Sequence, residues 1–303
     1  MNHDPHKTPE LRPARTRRGR RWLIRLLIVT MAIGMLWLTG IAERLFYHPD
    51  RAELDPPAEH RAEVFHVELD GRSIEGWFLH AAGIDSRNAP TIFHVHGNAG
   101  NIDSHLGFVD HLPAYGFNVV MFDYRGYGGS DGRAWSRNGL IADTTAVLAA
   151  IRQRDDIDPD RIGMYGQSLG GAIGLNVMAE DGGLRCAVIE SAFTSWREIA
   201  SNAVGGDPPA WYGRGLARVL IKDHARPVDA IGWIEAPILL LHGTADRVIP
   251  MSHSVRLHNA AQNAELLTGN GGRHNTLRGS HPELDDAMIA FFREHLGEVA
   301  ETE

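Results

Sequence analysis

Apolar positions recur along most of the chain in two alternating rhythms. Val64–Leu69 and Ile74–Leu79 show the period-two pattern of half-buried strands, and Asp70-Gly71 between them predicts a hairpin turn. Short apolar runs follow at Thr91–His96, Asn118–Tyr124, Arg161–Tyr165, Ala187–Glu190, Ile238–His242 and Ala264–Leu267. Their length and character are those of strands covered on both faces. Between them, spacings of three and four predict helices over Ser104–Tyr115, Asn138–Arg154, Leu169–Ala179, His253–Ala261 and Pro282–His295. Strands alternating with helices predict a mostly parallel, doubly wound sheet with helices on both faces. Residues 193–235 interrupt the alternation with Gly205-Gly206-Asp207-Pro208-Pro209, Trp196, Trp211 and Tyr212. That stretch reads either as a small cap over a site or as a connector packed on the body.

The N-terminus follows a different pattern. Arg12, Arg15, Arg17, Arg18, Arg20 and Arg21 lead into an apolar run that opens at Trp22, and no charge occurs from Leu26 to Ile41. With Arg25 snorkelling toward the headgroups, 22–41 reaches the roughly 20 residues that a spanning helix needs. Trp22 and Trp37 suit the two interfaces. The expected organisation is a basic cytoplasmic tail over 1–21, a transmembrane anchor over 22–41 and a connector over 42–60 containing Pro49, Pro56 and Pro57. A folded body over 61–297 and a short tail over 298–303 complete it. Basic flanks stay in the cytoplasm, so the expectation is a single-pass membrane protein with its body on the far side. A cleaved export signal has the same basic start and apolar middle. Gly40-x-Ala42 offers a small-residue cleavage site, and Arg20-Arg21-Trp22-Leu23 loosely matches a twin-arginine signal. The length of the apolar run favours the retained anchor over an exported soluble protein.

Composition changes this picture little. At 303 residues the chain can bury a large core without disulfide or metal. Its one cysteine, Cys186, lies in an apolar run and reads as a core residue rather than a reactive thiol. The net charge of −8 is uneven: residues 1–30 hold eight Lys/Arg against two Asp/Glu, so the remainder is strongly acidic. An acidic body argues against nucleic acid as a partner.

Four stretches carry candidate chemistry. Gly166-Gln167-Ser168-Leu169-Gly170-Gly171 follows an apolar strand and opens a helix, the setting of a nucleophile elbow. Small residues must flank so tight a turn. Ser168 is the candidate nucleophile, and the backbone N–H of Leu169, at a helix start, is aimed where an oxyanion would form. Gly97-Asn98-Ala99-Gly100 follows an earlier strand and can supply the second oxyanion donor. Asn98 is preferred over Ala99. His94-x-His96 lacks a third ligand nearby in sequence, so both are read as structural rather than as metal ligands. Asp246 sits in the loop after the apolar Ile238–His242 and is the candidate acid; Asp223 and Asp229 follow no such strand. His274, on the loop between the last strand and the last helix, is the candidate base. Its rival His281 lies in Ser280-His281-Pro282-Glu283, a helix start with Ser280 as cap. The order serine, acid, histidine is the one this kind of site requires.

Five motifs in order carry a family resemblance: His96-Gly97-Asn98-Ala99-Gly100-Asn101, Asp123-Tyr124-Arg125-Gly126-Tyr127-Gly128, Gly166-Gln167-Ser168-Leu169-Gly170-Gly171, His242-Gly243-Thr244-Ala245-Asp246 and His274-Asn275. With them, residues 42–297 resemble the serine aminopeptidase-like α/β-hydrolase-domain proteins, especially a membrane-anchored, lysophospholipase-like and depalmitoylase-like branch. The resemblance implies an α/β-hydrolase catalytic domain over 61–297 with no cofactor, a triad of Ser168, Asp246 and His274, and an oxyanion loop at Asn98. Arg273 and Thr276 depart from the small residue and the acid that many members carry around the histidine. The expected reaction is acyl transfer to water from an ester or thioester, on small-molecule or lipid-like substrates near the membrane. A peptidase or amidase uses the same triad. A non-catalytic binding module on a membrane stalk is the reading from another class, and a missing triad member would be its signature. Tyr124 and Arg125 are expected to hold their loop rather than touch substrate.

Overall fold

A computed structural model describes residues 16–57, 62–203, 215 and 218–297 of the chain. Eight strands form one sheet: β1 Glu63–Leu69, β2 Arg72–Leu79, β3 Thr91–Val95, β4 Asn118–Phe122, β5 Ile162–Gln167, β6 Cys186–Glu190, β7 Ile238–Gly243 and β8 Ala264–Gly269. Their spatial order is β1-β2-β4-β3-β5-β6-β7-β8. β2 runs antiparallel to both its neighbours, and the other strand pairs are parallel. The helices are α1 Thr16–Thr39, α2 Arg137–Ile151, α3 Leu169–Asp181, α4 Trp196–Ala203, α5 Ser252–Ala260 and α6 Pro282–Leu296, with shorter turns between them.

Burial follows the sequence pattern. β3 to β7 are buried at every position, because helices cover both of their faces. β1, at the sheet edge, alternates half-buried and exposed residues. The β1–β2 turn uses Asp70 and Gly71, both at positive φ, as an Asp-Gly hairpin requires. One core face gathers Phe93, Leu140, Met164 and Ile173; the other gathers Trp77, Leu112, Val188 and Phe292.

Three elements differ from expectation. Ser104–Tyr115 is not one helix but two 3-10 turns, Asp103–Phe108 and Leu112–Tyr115. Gly107 weakens a helix there, and Pro113 lacks the N–H that a continuous helix would use. Ser280 closes the turn Leu277–Ser280, and the residue that caps α6 is His281. The third difference concerns the expected transmembrane helix. Residues 22–39 are helical within α1, but among the described residues no helix is long and apolar enough to cross a membrane. The charge-free part of α1 runs only from Leu26 to Thr39 before Gly40 turns left-handed. At 1.5 Å per residue this covers about 21 Å, short of a hydrocarbon core of about 30 Å. Trp22, Leu26, Leu27, Ile28 and Met31 on this helix are exposed.

The first part of the expected connector is packed on the body. After α1, a 3-10 turn over Ile41–Phe46 leads into His48–Pro49, which pairs in parallel with Ala99–Gly100. Buried Glu43 accepts from the backbone N–H of Arg137 (2.6 Å) and from its Nε (3.0 Å). Burial alone would raise the Glu43 pKa, but Arg137 outweighs it and holds the carboxyl below its ordinary value. In 193–235, α4 packs Trp196 beneath Phe46 and Phe193. Trp211, Tyr212 and the Gly205–Pro209 stretch lie outside the described residues.

Candidate active site

Three loops at the carboxyl edge of the sheet bring the candidate triad together. Ser168 sits between β5 and α3 with φ 55° and ψ −112°, a backbone that lifts its side chain off the sheet. The flanking glycines are required by close approach. A Cβ on Gly170 would lie 1.7 Å from the Val95 carbonyl oxygen, and one on Gly166 would lie 2.8 Å from the Cα of Gly171. Asp246 follows β7, and His274 follows β8. His274 Nδ1 is 2.7 Å from Asp246 Oδ2, and its Nε2 is 3.0 Å from Ser168 Oγ. A carboxylate only accepts hydrogen bonds, so Nδ1 carries the proton and Nε2 is left to accept from the serine.

The charge on Asp246 is well supported. Burial pushes its pKa up, but hydrogen bonding from His242 and His274, the field of His274 and the Ile249 N–H together hold it well below the carboxylate range. Its Oδ1 accepts from the N–H groups of Val248 (2.8 Å) and Ile249 (2.9 Å). His242 lies behind it, with Nε2 3.4 Å from Asp246 Oδ2 and 2.9 Å from the Ile249 carbonyl oxygen. The one clue to its place was its position four residues before Asp246 at the end of an apolar strand.

The rival residues lie elsewhere. His281 binds Glu283 (2.9 Å) and the Asn270 carbonyl (3.1 Å). Asp223 accepts from the Ser195 hydroxyl, and Asp229 pairs with Arg226. His94 stacks on Tyr165, and His96 Nδ1 lies 2.8 Å from the Gly97 carbonyl oxygen. Among the described residues no group of three or more His, Cys, Asp or Glu is placed to hold a metal. Tyr124 donates to the His96 carbonyl (2.9 Å), and Arg125 forks onto Asp143, so both hold loops.

Ser168 and His274 open into a cleft of about 950 Å³. Phe46, Phe108, Phe193, Leu169, Ile199, Val248 and Ile249 supply its apolar lining; Asn98, His48, Gln167, Arg247 and Asn275 supply polar groups. Phe46 and His48 come from the segment after α1, and no motif announced them. Asn98 and Leu169 both line the cleft beside Ser168. Leu169 is the first residue of α3, so its N–H points out of the helix start with the positive end of the dipole.

Residues 109–299 match the prolyl oligopeptidase family. Protein YfhR of Salmonella typhi is 35% identical over 295 residues, covering 92% of this chain and 96% of its own length. The α/β-hydrolase domain-containing protein WAV2 of Arabidopsis thaliana is 30% identical and covers 75% of this chain and 78% of its own. Among solved structures, the Pyrococcus furiosus esterase Pf2001 superposes with a TM-score of 0.67 at 17% identity, covering 82% of this chain and all of its own. With its strand order, elbow and family match taken together, the chain belongs to the prolyl oligopeptidase family and is a hydrolase of the α/β-hydrolase fold.

Proposed function

We propose that the protein is a serine esterase or thioesterase that works through an acyl-enzyme. The observation that carries this reading is the unbroken hydrogen-bonded path from Asp246 through His274 to Ser168 at the floor of the cleft. Ser168 Oγ attacks the acyl carbonyl as His274 Nε2 takes its proton. The negative charge that develops on the carbonyl oxygen is received by the N–H groups of Asn98 and Leu169. His274 then passes its proton to the leaving alcohol or thiol. Water, deprotonated by His274, attacks the acyl-enzyme and releases the acid. Asp246 keeps the imidazole in the required tautomer throughout.

The lining of the cleft supports the choice of substrate class. Phe46, Phe108, Phe193 and Ile199 offer an apolar wall suited to an acyl chain, and the open mouth admits varied leaving groups. The esterase Pf2001 shares the fold, which is compatible with this choice. The family match favours a second reading, an amide or peptide bond cleaved by the same groups. A binding module without catalysis is disfavoured because no triad member is missing. For location, the arginines between Arg12 and Arg21 resist translocation, so we place the body outside the cytoplasm with the N-terminal segment directing export. Protease added outside intact cells should then degrade it.

The test is labelling by a fluorophosphonate, together with hydrolysis of p-nitrophenyl esters of increasing chain length and of an aminoacyl anilide. Wild type should label and prefer esters with apolar acyl groups; Ser168→Ala should do neither while remaining folded. Full turnover by folded Ser168→Ala would end the reading. Faster turnover of the anilide than of any ester would move it to the peptidase alternative.

A further inference from the structure

The loop that presents Asn98 is tied at its far end by His105, whose Nε2 lies 2.8 Å from the Ala99 carbonyl oxygen, and over its whole length by the segment after α1 and one tyrosine. Asn98 Nδ2 donates to the Phe46 carbonyl (2.7 Å). The Tyr127 hydroxyl donates to the Asn98 carbonyl (2.7 Å) and lies 3.1 Å from Asn98 Oδ1. His48–Pro49 pairs in parallel with Ala99–Gly100, and the Asp50 N–H reaches the Gly100 carbonyl at 2.8 Å. Asn101 Nδ2 donates to the Ala52 carbonyl (3.2 Å). Tyr127 and the segment are themselves joined through the next glycine, since the Gly128 N–H donates to the Asp50 carbonyl (2.8 Å). Every residue from Asn98 to Asn101 is thus tied to Phe46–Ala52 by a main-chain bond, a side-chain bond or strand pairing.

We infer that Phe46–Ala52 and Tyr127 form a clamp that fixes the carbonyl and side chain of Asn98 and so the direction of its N–H, making Tyr127 and the Asn98 side chain positioning residues for acyl transfer. This rests on the hydrolase reading above. An oxyanion donor is worth most when it is already aimed where charge develops, because the site then needs no reorganisation in the transition state. Asn98 sits between two glycines of its motif, Gly97 and Gly100, and the latter has φ 86°. So permissive a backbone has many alternatives, and the clamp selects one. The Tyr127 phenol is suited to this role. Burial pushes its pKa well up, so it stays protonated and remains a donor across the working range. The same arrangement makes the segment after α1 part of the site, since Phe46 offers its carbonyl to the clamp and its ring to the cleft.

The test uses the full chain, with p-nitrophenyl butyrate as substrate and an alkyl trifluoromethyl ketone as inhibitor. In the inhibited enzyme a bond forms between Ser168 Oγ and the ketone carbon. The carbonyl π pair becomes an oxyanion, and the serine proton passes to His274. Inhibitor affinity therefore reads the oxyanion donors directly. Tyr127→Phe should lower kcat about tenfold and raise the inhibitor Ki by a similar factor, with KM within about twofold and the melting temperature near wild type. Asn98→Ala, which also removes the tie to Phe46, should lose more of both. Wild-type kcat and Ki in either folded variant would overturn the clamp, as would a fall in kcat with Ki unchanged. If Tyr127→Phe does not fold, Asn98→Ala carries the same two readouts. The parent reading fails differently: turnover would then survive in folded Ser168→Ala, and the clamp would fall with it.

Discussion

The two walls of the cleft are built in different ways. On one side, Ser168, Asp246 and His274 each stand on a loop after a parallel strand, buried in the first two cases and at the sheet edge in the third. Those strands are neighbours or near neighbours in the sheet, so their ends share one rigid frame. On the other side, Asn98 and Phe46 stand on two irregular segments from opposite ends of a gap of about fifty residues. They are joined by a two-residue strand pair and a few side-chain bonds. The buried aspartates of the two sides differ accordingly. Asp246 receives two backbone N–H groups and the flanking imidazoles of His242 and His274, and it is held well below the carboxylate range despite its burial. Asp123, under the second wall, is pushed up to about 8 by burial; the single N–H of Ile102 lowers it too little to reverse this, and the nearby carboxylates of Glu75 and Asp50 push it further up. The first wall is organised to keep a charge for chemistry. The second is a packed support that keeps its carboxyl neutral.

The sharpest way to break this comparison is to remove the base. His274→Ala should lower kcat by roughly 10⁵–10⁶, as loss of a triad base does, and leave KM within a few-fold. His281→Ala should stay near wild type, because that ring binds Glu283 and the Asn270 carbonyl instead of the serine. Steady-state ester hydrolysis by both proteins decides it. Near-normal turnover by His274→Ala would remove the first wall from the chemistry.

Next in size is the acid. Asp246→Asn keeps the shape but replaces one acceptor oxygen with a donor. The imidazole then loses its reason to carry the proton on Nδ1, and kcat should fall about 10⁴-fold. A fall of less than tenfold, measured with the same ester, would mean that the Val248 and Ile249 N–H bonds and His242 position the loop without the charge.

The first wall was legible in the sequence because local chemistry specifies each part of it. Gly166 and Gly170 announce the elbow, and the apolar Ile238–His242 points to the loop that carries Asp246. The mostly parallel sheet follows from strands and helices in alternation. The second wall was half legible. The glycines around Asn98 marked a loop of close approach, but nothing in 42–52 marks it as the partner. The contacts of Phe46, His48 and Asp50 are long-range and mostly through main chain, so they leave no pattern of residue types. The same applies to Glu43, whose partner Arg137 is 94 residues away. The N-terminal apolar run was legible as a helix but not in its extent. Hydropathy does not reveal that Gly40 would end the helix and that Glu43 would be drawn into the body.

That pair gives the third prediction. Arg137 is fully buried, bonds Glu43 and the His224 carbonyl, and lies 4.6 Å over the Trp196 ring. Arg137→Met leaves Glu43 buried without its cation and should cost about 3–5 kcal/mol. Glu43→Gln with Arg137→Met should restore much of that, since no buried charge is then left unpaired. Urea unfolding of the two proteins measures the difference. If the double variant is no more stable than the single one, Glu43 does not carry a buried charge, and the second wall is held by packing alone.

A last contrast separates the two aspartates by pH. In the folded chain Asp123 loses its proton at about 8, whereas the unfolded carboxyl keeps its ordinary value of 3.8. Below pH 4 both states are protonated and stability is unaffected. Between pH 4 and 8 the unfolded chain releases a proton that the folded chain keeps, so stability falls as pH rises, and it levels off above 8. Asp246 has the opposite sign: its depressed folded value contributes stability above the unfolded carboxylate pKa, which is lost as pH falls. Asp123→Asn should therefore be more stable than wild type at pH 8 and lose that advantage as the pH is lowered toward 4. The Ile102 N–H keeps an oxygen acceptor at Oδ1, and His96, whose Nε2 is 3.6 Å away, is kept neutral by burial and adds no compensating charge. Urea unfolding of both proteins from pH 5 to pH 8, read as the difference between them, isolates this one carboxyl from the others. Parallel stability curves would mean that Asp123 is ionised in the folded state, and the contrast between the two walls would then rest on geometry alone.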